Sequence, residues 1–414
     1  MVRFFLRTPT TFSLLILSAL TPSKYKVRVF NQKLFWLGWD FIGDALVGIS
    51  CSTSNATEAY YLADQFRKAG SCVVMGGVHV SYFPQEALLH CDSVVIGEAE
   101  PVWQQVLDDY ENRSLKKIYK AEPLEDYFSP VFDYFMQIKP AILATSGILL
   151  SRGCKYCCEF CARPFGRLRF IKLEQAVKLV ERAKKGVFRP FFWQKPSLLF
   201  RDDNIFSDPA YAKELFKQMT PMGIKWAGNS SIDIAFDEET LTLAKASGCQ
   251  ELFIGFETIY PDKLKKTSIP GINSINDYFK AIKNIRSYGI RIMGGFVLGF
   301  DYYKHKDYLR LLYFLIRAKL YHASLTILTP FPGSLIYEQF KKEGRILTSE
   351  WSKYDSLQHV VFRPKNMSVL ALQLWFLGIR IISLLFSPLY IGMLVKYFVA
   401  YTVFYLAANL LFSK

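Results

Sequence analysis

Residues 151–166 read SRGCKYCCEFCARPFG, and these cysteines form the strongest pattern in the chain. Cys154 is followed four residues later by Cys158 and three residues after that by Cys161, with the aromatic Phe160 just before the last cysteine. Three thiolates at this spacing on one loop can bind three irons of a 4Fe–4S cluster, which leaves the fourth iron without a protein ligand. An open position on a metal centre is where a substrate or cofactor binds. The spacing therefore predicts these three cysteines as the metal ligands at the centre of catalysis.

Neither a zinc site nor a disulfide framework fits these cysteines as well as a cluster does. A structural zinc site takes two pairs of ligands, and no second pair of Cys or His follows nearby. A disulfide framework belongs to a short, cysteine-dense chain in an oxidising compartment, whereas this chain has eight cysteines in 414 residues. Cys157 is an extra thiol that could substitute as a ligand. The cysteine loop thus predicts an iron–sulfur site in a reducing compartment.

Strand and helix patterns alternate around and after the cysteines. Strands are predicted at 142–149, 197–202, 226–233, 251–257, 291–299 and 324–329, and helices at 172–185, 209–219, 238–247, 274–288, 305–319 and 334–343. Six βα units over this length favour a partial (β/α)6 barrel of the TIM type rather than a closed eight-fold barrel. The cysteines then lie in the loop after the first barrel strand.

A shorter alternating series precedes the cysteines. Strands are predicted at 44–50, 72–75 and 93–96, and helices at 56–69, 84–89 and 101–109. Such alternation gives an open parallel sheet with Rossmann-like winding, in which ligands bind at the carboxyl ends of the strands. Those ends carry a serine-rich segment at 50–54, a double glycine at 76–77 and a further glycine at 97.

The predicted fold class is α/β, and the chain is expected to have four parts. These are a Rossmann-like domain at 1–120, a linker at 121–140, a partial barrel at 141–345 and a hydrophobic helical region at 346–414. Half of all residues are hydrophobic and about a fifth are charged, which excludes wholesale disorder and allows a large core.

Two charge-free runs, Ile381–Val395 and Tyr397–Phe412, end the chain on either side of Lys396. Each run is shorter than the roughly 20 residues that a spanning helix needs. We therefore expect a pair of helices lying in a membrane interface. A buried helical cap on the enzyme and a spanning hairpin remain alternatives.

The formal net charge of +15 favours an anionic partner or surface. The positive charge is concentrated in residues 1–38, 162–200 and 362–414. The middle block is expected either to face an anionic substrate or redox donor, or to form a solvated helix face. The apolar run Thr8–Leu20 resembles a signal peptide, but Pro9 interrupts it and no small-residue cleavage site follows, so we do not expect it to be one.

At its cysteines the chain resembles the radical S-adenosylmethionine (SAM) superfamily, whose signature is CxxxCxxC with an aromatic residue before the third cysteine. The resemblance covers about residues 140–345. It implies that SAM binds the open iron through its amino and carboxylate groups. One electron from the reduced cluster then cleaves the sulfonium, which gives methionine and a 5′-deoxyadenosyl radical.

The same resemblance implies which residues bind SAM at the ends of later strands. Phe160 belongs to the cofactor site beside the cluster. Asp202 and Asp203 are expected at the SAM ammonium group, and the Ser231 hydroxyl at its carboxylate. The Glu257 carboxylate is expected at the ribose, and Gly295 at the adenine. A helix N-cap is the alternative role for the two aspartates.

The segment before the barrel resembles the cobalamin-binding domain that precedes many radical SAM cores. The similarity rests on AYYLADQFRKAG (59–70), VVMGGVH (73–79), PQEAL (84–88) and VIGEAE (95–100). It implies a cobalamin site lined by Ser50, Ser52, Gly76, Gly77 and Gly97. The DxHxxG loop that supplies a histidine to cobalt is absent, and His79 is expected to be a structural histidine. A degenerate domain that binds nothing, with glycines that serve only turn geometry, is the alternative.

The resemblance predicts a radical SAM enzyme that transfers a methyl group from cobalamin to a carbon of a hydrophobic substrate, such as a lipid, an isoprenoid or a tetrapyrrole. A radical SAM cyclase or rearrangement enzyme without methyl transfer is the first alternative. A tRNA methylthiotransferase would need a second three-cysteine cluster, for which Cys51, Cys72 and Cys91 are the candidates. An iron–sulfur scaffold protein without radical chemistry is the most distant alternative.

Two partners besides the substrate are expected. One is a cytoplasmic one-electron donor of the flavodoxin or ferredoxin type. The other is the inner face of the membrane, to which the basic and apolar ends of a cytoplasmic protein would be attracted. No nucleic acid partner is expected, because no separate basic RNA-binding domain follows the barrel.

Overall fold

The computed structural model describes residues 2–6, 12–31, 44–124, 147–162, 167–186, 195–264, 272–389 and 391. Two parallel sheets organise these residues into an N-terminal domain and a larger barrel-like domain. Hydrophobic side chains are buried against both sheets. The α/β fold class is thereby confirmed.

The N-terminal sheet has six parallel strands in the spatial order β2-β1-β3-β4-β5-β6. The strands are β1 (Val2–Leu6), β2 (Val27–Asn31), β3 (Leu46–Ser50), β4 (Cys72–Gly76), β5 (Ser93–Ile96) and β6 (Ile118–Lys120). The helices between them are α1 (Phe12–Leu20), α2 (Ala56–Lys68), α3 (Val78–Tyr82), α4 (Pro84–Ala87) and α5 (Trp103–Glu111). The predicted Rossmann-like winding is confirmed for β3, β4 and β5, whereas the sequence patterns do not predict the strands β1, β2 and β6 or the helices α1 and α3.

The apolar run near the N-terminus is part of this domain. α1 buries Leu14, Leu15 and Leu17 against the sheet and α5. Just after α1, the Thr21 hydroxyl accepts a hydrogen bond from the indole of Trp103 at 3.0 Å. Burial in the domain accounts for the apolar composition that makes this run similar to a signal peptide.

The second sheet also has six parallel strands, in the order β14-β13-β12-β11-β10-β7. They are β7 (Gly147–Ile148), β10 (Ser197–Phe200), β11 (Lys225–Ser230), β12 (Cys249–Glu257), β13 (Arg291–Leu298) and β14 (His322–Ile327). A separate antiparallel pair, β8 (Ser151–Arg152) and β9 (Arg169–Phe170), lies on either side of the cysteine loop.

A helix follows each strand of the second sheet. These helices are α6 (Leu173–Gly186), α7 (Pro209–Met219), α8 (Glu238–Ala246), α9 (Ile275–Ser287), α10 (His305–Ala318) and α11 (Leu335–Lys342). The six predicted βα units are therefore confirmed, with helix bounds that agree to within a residue or two. Of the predicted first strand, only 147–149 falls within the described residues, and the predicted linker falls outside them except for 121–124.

Alternation along β12 shows which face of this sheet is available to a ligand. Phe256 is buried against Tyr278 of α9 and Phe314 of α10, so its face of the strand lies under the helices. Because successive side chains of a strand point to opposite faces, Phe253 and Glu257 lie on the inner face of the barrel-like sheet.

A final helix, α12 (Val369–Leu385), covers the edge strand β14. Its Leu372, Phe376 and Ile379 are buried, while its opposite face is exposed. The predicted helix start at Ile381 is wrong, because the helix already begins at Val369 and ends at Leu385; the predicted helix Tyr397–Phe412 lies outside the described residues. In the described part of the chain, no helix is both long and apolar enough to cross a membrane.

Candidate active site

The start of the cysteine loop is held by a buried carboxylate. Asp202, just after β10, accepts hydrogen bonds from the backbone N–H of Leu150 at 3.1 Å and from the Ser151 hydroxyl at 2.6 Å. Burial raises the pKa of Asp202 to about 7. The second oxygen of this carboxyl is buried and has no hydrogen-bond partner in the described part of the chain. The structure therefore gives Asp202 a positioning role under the loop, and its expected contact with the SAM ammonium group stays a prediction.

A second carboxylate holds the middle of the loop. Asp233, in the turn after β11, pairs with Lys155 Nζ at 2.9 Å and accepts hydrogen bonds from the hydroxyls of Tyr156, at 2.8 Å, and Ser231. The Ser231 hydroxyl in turn accepts a hydrogen bond from the Asn204 amide at 2.8 Å. Burial acts to raise the pKa of Asp233, but the hydrogen bonds outweigh burial and lower it. Ser231 thus lies beside the loop and is engaged by two neighbours, while its expected contact with the SAM carboxylate stays a prediction.

The end of the loop contacts the last part of the barrel. The Glu159 carbonyl accepts a hydrogen bond from the backbone N–H of Ile336 in α11 at 3.0 Å. Phe160 packs edge-on against Phe300, which follows β13, with ring centroids 5.8 Å apart. Aromatic packing of this kind fixes the backbone of the loop next to the last predicted ligand.

The cysteines of the loop are accessible. Cys154 and Cys158 are half-buried, and Cys157 and Cys161 are exposed. Burial raises the pKa of the thiol of each of the other four cysteines, which are Cys51, Cys72, Cys91 and Cys249. Because the thiolate is the form that binds metal, the loop cysteines are the ones suited to be ligands.

The spacing of these thiols along the chain is what suits them to a 4Fe–4S cluster. Among the described residues, no three His, Cys, Asp or Glu side chains converge on one point as the ligands of one metal ion would. In a 4Fe–4S cluster each thiolate binds a different iron, so the ligands are spread around the cluster. The second cluster that a methylthiotransferase would need is not formed by the predicted cysteines, since Cys51 and Cys91 are buried in the core of the N-terminal domain.

Two further residues predicted to bind SAM lie on the inner face of the barrel-like sheet. Glu257 ends β12 with a φ of +60°, and its carboxyl folds back over Gly255. Burial raises the pKa of Glu257 to about 7, and this carboxyl makes no hydrogen bond or ion pair with any described residue. Gly295 lies beside Gly255, and the ring of Phe253 occupies the space in front of it, 2.8 Å from where a Cβ would stand. Glu257 is available to a ligand, whereas Gly295 is covered by an aromatic ring.

A cavity of about 350 Å³ lies between the N-terminal sheet and the cysteine loop. Its apolar wall includes Leu14, Leu17, Ile49, Val74, Val95 and Trp103, and the barrel-like domain contributes Leu149, Ser151, Arg152, Gly153 and Asp203. All the residues predicted from the cobalamin-binding resemblance line it, namely Ser50, Ser52, Gly76, Gly77 and Gly97. An apolar wall with a few polar groups at the carboxyl ends of parallel strands fits a large, partly polar cofactor.

The three glycines of the cavity differ in what the backbone requires of them. Gly77 has a φ of +102°, and a Cβ there would lie 2.6 Å from the carbonyl oxygen of Cys51. Gly97 has a φ of +88°, and a Cβ there would lie 2.7 Å from the carbonyl oxygen of Ala121. Turn geometry alone therefore accounts for these two glycines. Gly76 is not crowded in this way, since the nearest atom to a Cβ there lies 3.6 Å away.

An arginine–glutamate cluster joins the two domains at the rim of the cavity. Arg169 of β9 donates two hydrogen bonds to the buried carboxylate of Glu98, one of them at 3.0 Å, and Arg152 of β8 pairs with both Glu98 and Glu100. Burial acts to raise the pKa of Glu98, but the hydrogen bond and charge of Arg169 and the charge of Arg152 outweigh it and lower the pKa. Arg169 belongs to the basic block at 162–200, so this member of the block is a structural cation rather than a contact for a partner.

No histidine is found among the residues that line the described wall of the cavity. His79 is fully buried beside it, where its Nδ1 lies 3.3 Å from the Thr53 hydroxyl and its ring packs edge-on against Trp351. Burial lowers the pKa of His79. This environment agrees with the predicted structural role and gives the cavity no histidine for cobalt.

Comparisons with known proteins assign the chain to a family. Residues 148–315 match the model of the radical SAM superfamily, and residues 43–107 match that of the B12 binding domain. The chain is 32% identical over 336 residues to the bacteriochlorophyllide d C-12(1)-methyltransferase of Chlorobaculum tepidum, an alignment that covers 79% of this chain and 72% of that protein. The chain belongs to the cobalamin-dependent radical SAM methyltransferases.

Further similarities of this radical SAM methyltransferase agree with the assignment. It is 29% identical over 374 residues to the bacteriochlorophyllide d C-8(2)-methyltransferase of the same organism, covering 86% of this chain and 82% of that protein. Its fold is similar to that of the radical SAM methyltransferase TsrM from Kitasatospora setae, solved with cobalamin and a 4Fe–4S cluster, with a TM-score of 0.65 and 15% identity over 83% of this chain and 74% of that one. The matches to the two family models and the 32% identity to a methyltransferase confirm the enzyme class and the predicted cofactors, which are a 4Fe–4S cluster, SAM and cobalamin.

Several residues that organise the site of this radical SAM methyltransferase are not predicted from the sequence. Arg152 and Arg169 have no local pattern that distinguishes them from solvated arginines. Asp233 lies more than 70 residues after its partners Lys155 and Tyr156, so no local pattern joins them. Glu98 lies with Gly97 at the carboxyl end of a predicted strand, which marks it as a candidate ligand-site position but not as the partner of two arginines.

Proposed function

We propose that this radical SAM methyltransferase transfers a methyl group to a carbon of a chlorin-type tetrapyrrole. Both Chlorobaculum relatives are named as methyltransferases of bacteriochlorophyllide d, a hydrophobic tetrapyrrole. The observation that carries the proposal is the cavity shared by the two domains, whose wall includes Ser50 and Gly76 on one side and Gly153 and Asp203 on the other. A methyl donor held in this cavity would lie next to the cysteine loop.

The chain's own contribution to the reaction is to hold and orient the reacting groups. Cys154, Cys158 and Cys161 would bind three irons, while Asp202 and Asp233 keep the loop in one conformation. When bound, SAM at the cluster supplies the radical that removes a hydrogen atom from the substrate carbon, and cobalamin supplies the methyl group. Substrate and cofactors bound between the two domains would exclude water, which would otherwise intercept reactive species.

SAM is proposed to lie against two carboxyl groups. We assign Asp203 to its ammonium group, because Asp203 lines the cavity while its neighbour Asp202 is buried under the loop. Glu257 is assigned to the ribose, because its carboxyl lies on the inner face and has no partner among the described residues. A carboxyl group can accept a hydrogen bond from a ribose hydroxyl whether it is neutral or ionised. Ser231 and Phe160 would shape the site beside the loop.

Cobalamin is proposed to be held by residues at the carboxyl ends of β3 and β4. Ser50 and Ser52 offer hydroxyl groups at the end of β3, and Gly76 offers bare backbone at the end of β4. The described wall of the cavity offers no imidazole for cobalt, so these contacts rather than a histidine would set the position of the corrin.

A flavodoxin- or ferredoxin-type protein is proposed as the electron donor, and a cytoplasmic position at the membrane surface is proposed for the enzyme. Arg167 and Lys172 are exposed close to the cysteine loop in sequence, and such cations are complementary to an acidic redox protein. The apolar and basic end of the chain supports a membrane surface as the second partner.

The test is a methyl-transfer assay with bacteriochlorophyllide d as the probe substrate. The protein is purified without oxygen, its cluster is rebuilt, and hydroxocobalamin, a reductant and SAM with a deuterated methyl group are added. We expect a product heavier by one deuterated methyl group, and none from Cys158→Ala. Deoxyadenosine without a methylated product would favour a cyclase or rearrangement enzyme instead. Failure to cleave SAM with an intact cluster would favour a scaffold protein.

A further inference from the structure

Large apolar side chains on two neighbouring helices are exposed to solvent. On α12, Leu374, Leu377, Ile381 and Leu385 recur every three to four residues and are 50–69% exposed. On α10, Tyr313 and Ile316 are 57% and 41% exposed. These six residues form a surface that we name the α10–α12 face. Monomeric proteins seldom expose contiguous apolar patches of this kind without a partner.

Contacts at both ends show that the two stripes lie side by side. Near the start of the helices, the ring of Trp375 in α12 stacks on Tyr308 of α10 with centroids 5.4 Å apart, and its indole N–H donates to His305 at 2.9 Å. Near their ends, Ile316 and Phe386 line the same small hollow between the helices. The helices therefore run in the same direction, and their exposed stripes form one surface.

The charges around this surface have one sign. Lys306, Arg317 and Lys319 are exposed on or directly after α10, and Arg380 is exposed on α12. The acidic residue of α10, Asp307, is buried and bonded to Tyr260, and α12 contains no acidic residue. An apolar stripe flanked by Lys and Arg without exposed acids is the composition of helices that lie in the interface of anionic membranes.

We propose that the α10–α12 face docks on the surface of an anionic lipid bilayer, with the six apolar side chains entering the interface. The inference rests on the membrane position given under Proposed function but not on the reaction. Cations of α10 and α12 would meet lipid phosphates, while Leu372 and Phe376 on the opposite face of α12 keep the helix packed on the sheet.

The composition of the segment after α12 is better suited to a lipid bilayer than to packing on the α10–α12 face. Residues 392–414 contain no acidic side chain to pair with Arg317, Lys319 or Arg380. They carry two further lysines, Lys396 and Lys414, in an otherwise apolar sequence. A second copy of the face would likewise bring cations against cations. An anionic lipid surface can accommodate both the apolar side chains and the cations of this face.

The experiment measures vesicle binding of the full chain. The variant carries Leu374→Gln, Leu377→Gln and Leu385→Gln, which change exposed positions only. The matched control carries Leu89→Gln, Leu347→Gln and Leu357→Gln, which are leucines exposed elsewhere on the molecule. Flotation with phosphatidylcholine–phosphatidylglycerol vesicles gives the affinity, pure phosphatidylcholine vesicles give the charge dependence, and light scattering gives the oligomeric state.

We expect wild type and control to float with the anionic vesicles, and the α10–α12 variant to bind at least about tenfold more weakly. Binding should fall with added salt and with neutral lipid. Equal binding of all three proteins would assign attachment to another segment and overturn the proposal. A wild type that does not float, or that is a dimer which the variant converts to a monomer, would overturn it too. No cofactor is needed, so failure here and failure of methyl transfer are separate results.

Discussion

Three cysteines of the loop are the predicted cluster ligands, and the fourth, Cys157, serves as their control. Replacing Cys154, Cys158 or Cys161 by Ala is expected to abolish SAM cleavage and to lower bound iron below the roughly four atoms of a full cluster. Cys157→Ala should retain both, because the spacing leaves this thiol outside the ligand set. Iron content and deoxyadenosine release are the measurements. Retained SAM cleavage in a ligand variant, or its loss in Cys157→Ala alone, would contradict the assignment.

The buried Asp202 is expected to make stability fall with rising pH. Its pKa is about 7 in the folded protein against an ordinary value of 3.8, so its proton-linked contribution is present below pH 4 and is lost as pH rises through 7. Asp202→Asn keeps an acceptor for Leu150 and Ser151 and removes the titration. Between pH 5 and 8, wild type should lose stability relative to this variant by an amount on the order of a few kcal/mol. Parallel pH profiles in urea denaturation would show this idea to be wrong.

The Glu98–Arg169 pair is expected to show the opposite pH dependence. Because the pKa of Glu98 lies below its ordinary value of 4.5, the stabilisation is present above pH 4.5 and is lost as pH falls through the folded-state pKa. Arg169→Met leaves the Glu98 carboxylate buried without its main partner and should cost about 3–5 kcal/mol of unfolding free energy near neutral pH. Lys178→Met in the exposed Lys178–Glu174 pair is the control and should leave the unfolding free energy nearly unchanged, because solvent screens this pair. Equal, small effects of both substitutions would mean that the cluster does not hold the domains together.

At the scale of elements, α12 has two faces with different roles. Leu372 is fully buried beside Gly299 at the end of β13, whereas Leu374, two residues later, is exposed. Leu372→Ala should therefore destabilise the protein by about 2–5 kcal/mol, because it leaves a cavity over the edge of the sheet. Leu374→Ala, on the same helix, should change the unfolding free energy by less than about 0.5 kcal/mol. Similar losses for both variants would contradict this placement of the helix.

The elements that the sequence predicts well are those whose neighbours in space are also neighbours in the chain. β10 to β14 and their helices follow one another with clear apolar periodicity, and the predicted bounds agree to within one residue for the helices and three residues for the strands. β1 and α1 are not predicted, because an apolar run near an N-terminus has the same composition in a packed domain as in a signal peptide. α12 is placed twelve residues too late because its exposed and buried faces are both apolar, so periodicity does not mark its start.

At the scale of the whole molecule, function depends on how the two domains meet. The half of the cavity contributed by the N-terminal sheet can be predicted, because ligand sites of parallel sheets lie at the carboxyl ends of strands. The half contributed by Arg152, Gly153 and Asp203 cannot, since no local pattern encodes contacts between segments 50 or more residues apart. Contacts such as that between the Trp351 indole and Glu86 at 2.7 Å reinforce the same arrangement from the C-terminal side.

Cobalamin retention tests most directly whether this shared cavity is the site of the methyl donor. Wild type and Ser50→Trp, which fills the cavity from the end of β3, are purified without oxygen, given a rebuilt cluster and hydroxocobalamin, and desalted before cobalt and iron are measured. We predict about one cobalt and four irons per chain for wild type, and four irons with almost no cobalt for Ser50→Trp. Equal cobalt in the two proteins, or none in wild type with its cluster intact, would contradict the account.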